Sequence, residues 1–136
     1  MRHRQAGKKL GRNHHQRQAL FKQQAGALVL NESVTTTAAK AKLLVQSMDK
    51  LITKAKKGTV SARRQLMALM TPSKAANKLM DDIAKRNSAR TSGFTKMFRL
   101  GVRRGDNAML AKVEFIDKPL PKPEPKKVVK KETKKK

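Results

Sequence analysis

From Met1 to Asn31 the chain carries no acidic side chain. Arg2, Arg4, Lys8, Lys9, Arg12, Arg17 and Lys22 share that stretch with His3, His14 and His15. Between Met1 and Leu10 the only apolar interruption is Ala6. Burying such a segment would strip water from its charges with nothing to replace it. The opening is therefore excluded from a core and needs a polyanion as its counterpart. Gly7 and Gly11 let the backbone approach a surface closely, and arginine supplies forked donors that match phosphate. Residues 1–12 read as an extended basic arm laid onto folded nucleic acid.

The rest of the chain reinforces this. Formal net charge is +25, from 34 Lys and Arg against 9 Asp and Glu in 136 residues. Self-repulsion at that density opposes compaction, so counterions or a nucleic-acid partner are expected to support the native state. The length suits one small domain with tails. The apolar content of 38% suffices for one modest core. Cysteine is absent, which excludes disulfides and thiolate metal sites and fits a reducing compartment. No apolar run is long enough for a membrane helix or a signal-peptide core, so no membrane insertion is expected.

Along the chain, Asn13 and Gln16 have the spacing of a capping box, with Asn in the usual Ser/Thr place. A helix to about Leu30 would carry Phe21, Ala25 and Leu28 on one face, with Asn31 ending it in the left-handed conformation. The β-branched run Ser33–Thr36 predicts a strand. Thr37 would cap a second helix whose apolar positions are Ala41, Leu44, Met48, Leu51, Ile52 and Ala55, stopped by Gly58. A third helix from about Ser61 to Met70 has Val60, Leu66, Met67 and Met70 as its apolar content. Thr71–Pro72 reads as a cap with proline at the first position of a fourth helix, which presents Ala76, Leu79, Met80 and Ile83.

Gly93 precedes a strand from Phe94 to Leu100, and Gly101 to Asn107 reads as a turn-rich loop. In the next strand Met109, Ala111, Val113 and Phe115 alternate with Leu110, Lys112 and Glu114. Residues 118–136, rich in proline and lysine, have almost nothing to bury and are expected to be disordered. The fold class is α+β in two layers: helix, strand, three helices, two strands. One globular domain at residues 13–117 would pack its helices on a small, mostly antiparallel sheet between the arm and the tail.

Catalysis has little support. His14 and His15 are adjacent, so they point apart on a helix and do not form the i, i+4 pair that a metal site would use. Asp81 and Asp82 fall on different faces, and Asp82 with Arg86 has the spacing of an ordinary i, i+4 surface pair. No catalytic residue, metal, cofactor or small-molecule substrate is expected. Gly101, Arg103, Arg104 and Gly105 lie between strands and precede no helix, so the phosphate-loop geometry is missing. A hairpin tip that presses two guanidinium groups onto a nucleic-acid backbone is the better reading, with Lys96 and Arg99 on the strand leading to it. Aromatic residues are 3%, without Tyr or Trp, which disfavours a base-stacking sheet. Two functions fit: a protein that neutralises the phosphates of folded RNA, or a nucleoid-type DNA-binding protein.

Specific residues then go beyond composition. Met1–Arg4 (MRHR), Gly7, Leu10, Arg12 and the run His15–Ala19 resemble the start of ribosomal protein seventeen of the bacterial large subunit. The similarity continues through Thr35–Thr36, Ala39–Lys42, Leu51–Lys56, Gly93–Lys96 and Arg103–Ala108, and spans about residues 1–117. Ser92, Phe94 and Lys96 depart from the family's usual Gly, Tyr and Arg. The resemblance implies a structural, non-enzymatic component of the large subunit in the cytoplasmic ribosome, near the polypeptide exit tunnel. Its partners would be large-subunit ribosomal RNA and neighbouring ribosomal proteins. Carried over by motif, Arg2, His3, Arg4, Arg12 and Arg17 would be RNA contacts of the arm, and Arg103 and Arg104 contacts of the hairpin. With Lys8, Lys9, His14, His15, Lys96 and Arg99, they make up the expected RNA-binding set.

Overall fold

The capping box predicted at Asn13 is formed. The Gln16 backbone N–H donates to Asn13 Oδ1 at 2.9 Å, and the Asn13 N–H donates to Gln16 Oε1 at 3.3 Å. Two of the orphan donors at the helix start are thereby satisfied, and α1 runs His14–Asn31. A computed structural model of the chain describes residues 7–117. The expectations for Arg2, His3, Arg4 and residues 118–136 lie outside the described residues.

After α1 come β1 (Ser33–Thr37), α2 (Ala38–Ala55), α3 (Val60–Leu69) and α4 (Ser73–Lys78). The last continues through a π-helical turn (Leu79–Ile83) into α5 (Ala84–Arg86). β2 (Thr95–Val102) and β3 (Met109–Phe115) complete the described chain. β3 is central, flanked by β1 and β2, and both pairings are antiparallel. Val34 and Met97 both stand opposite Val113, which sets one face of the sheet toward the helices. Ala111, Val113 and Phe115 are buried on that face, as their alternation predicts. All six predicted apolar positions of α2 are buried. This helix lies on the inner face of the sheet and touches α1, α3, the π-helical turn and α5, so it organises the core.

Several details differ from the sequence reading, each for a physical reason. The left-handed residue after α1 is Glu32 (φ 61°), with Asn31 still helical. Glu32 is held there by Lys78 and Arg86 from another part of the chain. Thr37 occupies the N-cap of α2 without a side-chain capping bond. α3 starts one residue earlier than expected and is capped by Thr59, whose hydroxyl accepts from the Ala62 N–H at 3.2 Å. Val60 consequently starts the helix in solvent, 69% exposed, and Met67 is exposed too, while Ala62, Leu66 and Met70 face the core. Pro72 sits at the N-cap of α4 rather than its first turn, after a cis Thr71–Pro72 bond.

Phe94 precedes β2 and is fully buried. Its N–H donates to Asp49 Oδ1 of α2 at 3.2 Å instead of entering the ladder. Gly101 and Val102, read as loop, belong to β2, which bulges between Arg99 and Gly101. Around the bulge Leu100, Val102 and Met109 are exposed.

Arg86 is more than half of a surface pair. Its guanidinium reaches Asp82 (2.9 Å), Glu32 (3.2 Å) and the Asp117 carbonyl (3.0 Å). It ties α5 to the turn after α1 and to the end of β3. Burial raises the Glu32 pKa, but hydrogen bonds and charge from Lys78 and Arg86 outweigh it, and the net shift is downward.

Candidate nucleic-acid interface

Among the described residues every acidic side chain is engaged within the fold. Glu32, Asp81, Asp82, Asp106, Glu114 and Asp117 form ion pairs, and Asp49 accepts the Phe94 N–H. The cations they neutralise are Arg63, Lys78, Arg86, Arg90, Arg103 and Lys112. The other described cations have no carboxylate partner, and this excess of positive charge is the electrostatic footprint of a polyanion binder.

The first part of that surface lies at the start of α1. Lys9 to Arg12 form a tight turn, closed by the Arg12 N–H donating to the Lys9 carbonyl at 3.1 Å. Leu10 and Gly11 both have positive φ, 56° and 63°, and the glycine takes this at no steric cost. Arg17 Nη1 donates to the carbonyls of Lys9 (3.2 Å) and Arg12 (3.0 Å), while Arg12 Nη1 donates to that of Leu10 (3.0 Å). Arg12 and Arg17 thus fasten the described end of the arm to the helix, a positioning role that composition did not disclose. Lys8, Lys9, His14 and His15 project into solvent around this turn. The two imidazole rings meet edge to face with centroids 5.6 Å apart. Among the described residues no three metal-ligating side chains cluster.

The second part is the β2–β3 hairpin. Lys96 Nζ lies 4.9 Å from the centre of the Phe98 ring on the outer face of the sheet, and Arg99 is exposed further along β2. At the tip the Arg103 N–H donates to the Ala108 carbonyl at 2.9 Å. Asp106 accepts from Arg103 Nε at 3.0 Å and from the Ala108 N–H at 3.3 Å. The Arg103 hydrogen bond and that from Ala108 pull the Asp106 carboxyl down to about 2, and the same pair raises the Arg103 pKa. Two residues that look equivalent in sequence are therefore separated. Arg103 spends one edge of its guanidinium holding the tip together, whereas Arg104 is exposed and has no ion-pair partner among the described residues.

The predicted residues that lie within the described chain form two groups, one at the α1 start and one on the hairpin. A third cationic group escaped the sequence reading: Lys22 of α1 and Lys50 and Lys54 of α2 surround a cleft. Only the i, i+4 spacing of Lys50 and Lys54 hinted at it. No helix among the described residues is long and apolar enough to cross a membrane.

The family model described as Ribosomal protein L17 matches residues 20–116. The Large ribosomal subunit protein bL17 of Pelagibacter ubique is 42% identical over 87% of this chain and 81% of its own. Its namesake in Allorhizobium ampelinum is 39% identical over 87% of this chain and 84% of its own. That of Thermomicrobium roseum is 43% identical over 85% of this chain and 99% of its own. The family match spans nearly all the folded residues, and the relatives align over most of both lengths; the chain belongs to the ribosomal protein L17 family.

Proposed function

We propose that this protein is a structural, non-enzymatic constituent of the large ribosomal subunit that binds and stabilises folded large-subunit ribosomal RNA in the cytoplasmic ribosome. The observation that carries this is the pairing of every described acidic side chain with a cation or a backbone N–H, which leaves the surplus charge positive. Within the family identified above, the natural polyanion for that surface is ribosomal RNA. Lys8, Lys9, His14 and His15 meet phosphates beside the anchored turn, in continuity with Arg2, His3 and Arg4. Arg104, with Arg99 and Lys96 behind it, meets them from the hairpin. Neutralisation of closely spaced phosphates lets RNA segments approach one another, and counterion release supplies most of the affinity. A place near the polypeptide exit tunnel, among neighbouring ribosomal proteins, belongs to the same reading.

The test is co-sedimentation. The tagged full chain should travel with intact large subunits and remain bound through a high-salt wash. It should also bind a large-subunit ribosomal RNA transcript more tightly than duplex DNA of equal length. Equal affinity for the duplex, with loss from the subunits on washing, would favour the nucleoid reading.

A further inference from the structure

A cleft of about 390 Å³ opens between α1, α2 and the end of α3. Phe21, Ala25, Leu51 and Leu69 make its apolar lining, and Lys22, Lys50 and Lys54 stand at its rim. No acidic residue lines it, and none of the three lysines has an ion-pair partner among the described residues. We propose that this cleft receives one unstacked nucleotide of the bound RNA, its base against Phe21, Leu51 and Leu69 and its flanking phosphates on the lysines. The inference rests on the RNA-binding reading above and adds a site to it.

The lining selects the occupant. A free phosphate would leave the apolar floor wet, and an apolar ligand would desolvate three ammonium groups without a counter-charge. An occupant with a flat apolar body between negative charges satisfies both, and single-stranded nucleotides are bound this way, by stacking and phosphate contact together. The volume falls within the range of small-ligand pockets. Position along α1 favours RNA over an acidic protein segment. His14, Gln18, Phe21, Lys22 and Ala25 follow a three-to-four-residue spacing, so they share one face of the helix. Gln18 Nε2 lies 3.0 Å from His14 Nε2. This stripe leads from the basic turn at Lys9–Arg12 straight into the cleft, so a strand held at the turn reaches it without leaving the surface.

The experiment uses the full chain bound to a large-subunit ribosomal RNA transcript. Ultraviolet cross-linking, nuclease and trypsin digestion and mass spectrometry would locate the bases in contact. A nucleotide adduct is expected on the Gln18–Lys22 peptide or on Leu51–Lys54. The double variant Lys50→Gln/Lys54→Gln changes only side chains at the rim and should melt with the parent. It should lose the adduct on Gln18–Lys22, whose trypsin sites the substitutions leave intact, and flatten the salt dependence of binding by about 0.7 log units for each phosphate contact removed. Lys42→Gln, exposed on the same helix, should leave the cleft adduct in place. Adducts confined to arm and hairpin peptides, or a double variant indistinguishable from Lys42→Gln, would overturn the cleft and leave the RNA-binding function standing. Failure of the full chain to bind the transcript would remove both. Chemical cross-links in intact subunits from Lys50 or Lys54 to an acidic protein segment would also overturn it, in favour of a protein occupant.

Discussion

At Gly26, α1 comes into close contact with the Thr71–Pro72 backbone. A Cβ built there would stand 1.9 Å from the Thr71 carbonyl oxygen and 2.9 Å from its carbon. The Thr71–Pro72 backbone lies directly against the helix, and no rotamer change relieves an overlap between a Cβ and a main-chain carbonyl. For Gly26→Ala, α1 and the Thr71 turn would have to part by at least about 1 Å to restore ordinary contact. Overpacking a closed contact costs about 1–3 kcal/mol, with a backbone obstacle at the upper end. Against this, Ala in mid-helix gains about 1 kcal/mol over Gly. The net expectation is a loss of about 2 kcal/mol, which at this size lowers the melting temperature by about 8 °C. Thermal melts followed by circular dichroism would show it. Ala19→Gly, at an exposed position of the same helix, calibrates propensity alone and should cost about 1 kcal/mol. If Gly26→Ala melted at or above the parent, propensity would dominate and α1 would not approach Thr71 as described.

Replacing Leu44, fully buried beneath the sheet, with Asp should abolish cooperative melting, because the core offers that charge no partner; a sharp native-like transition would contradict the placement of α2. Folding lowers the Glu32 pKa below its ordinary 4.5, so the unfolded chain takes up the proton first. The stability contributed by Glu32 is present above about that pH and lost as pH falls through the folded value; urea midpoints across the acid range should fall accordingly. Arg86→Ala, which removes the link between Glu32, Asp82 and the Asp117 carbonyl, should cost about 2–4 kcal/mol at neutral pH and make the acid decline shallower. An unchanged acid profile would show that the link does not act on Glu32. At the hairpin, Arg104→Ala should flatten the salt dependence of RNA binding by about 0.9 log units per duplex phosphate contact while leaving the tip intact. Arg103→Ala should shift the amide resonances of Asp106 and Ala108 in the free protein; the reverse pattern would exchange the two roles.

The features legible in the chain are those set within a few residues of one another. The Asn13–Gln16 box, the apolar stripe of α2 and the inward alternation of β3 follow from helical and strand periods acting on nearby side chains. The excess of positive charge needs no fold to be seen, and it carried the nucleic-acid reading. Contacts between distant segments decided the rest. Glu32, rather than Asn31, takes the left-handed position because Lys78 and Arg86, far along the chain, hold its carboxylate. The Phe94 N–H goes to Asp49 of α2, while its carbonyl still accepts from Ile116 beside β3. Arg103 and Arg104, adjacent and chemically alike, part company because the hairpin turn brings Asp106 onto only one of them. The cleft exists only because packing brings Lys22 of α1 beside Lys50 and Lys54 of α2 over an apolar floor. Local periodicity specifies which face of an element is buried. Which charges are spent inside and which are left for a partner is settled only when segments far apart in the chain meet.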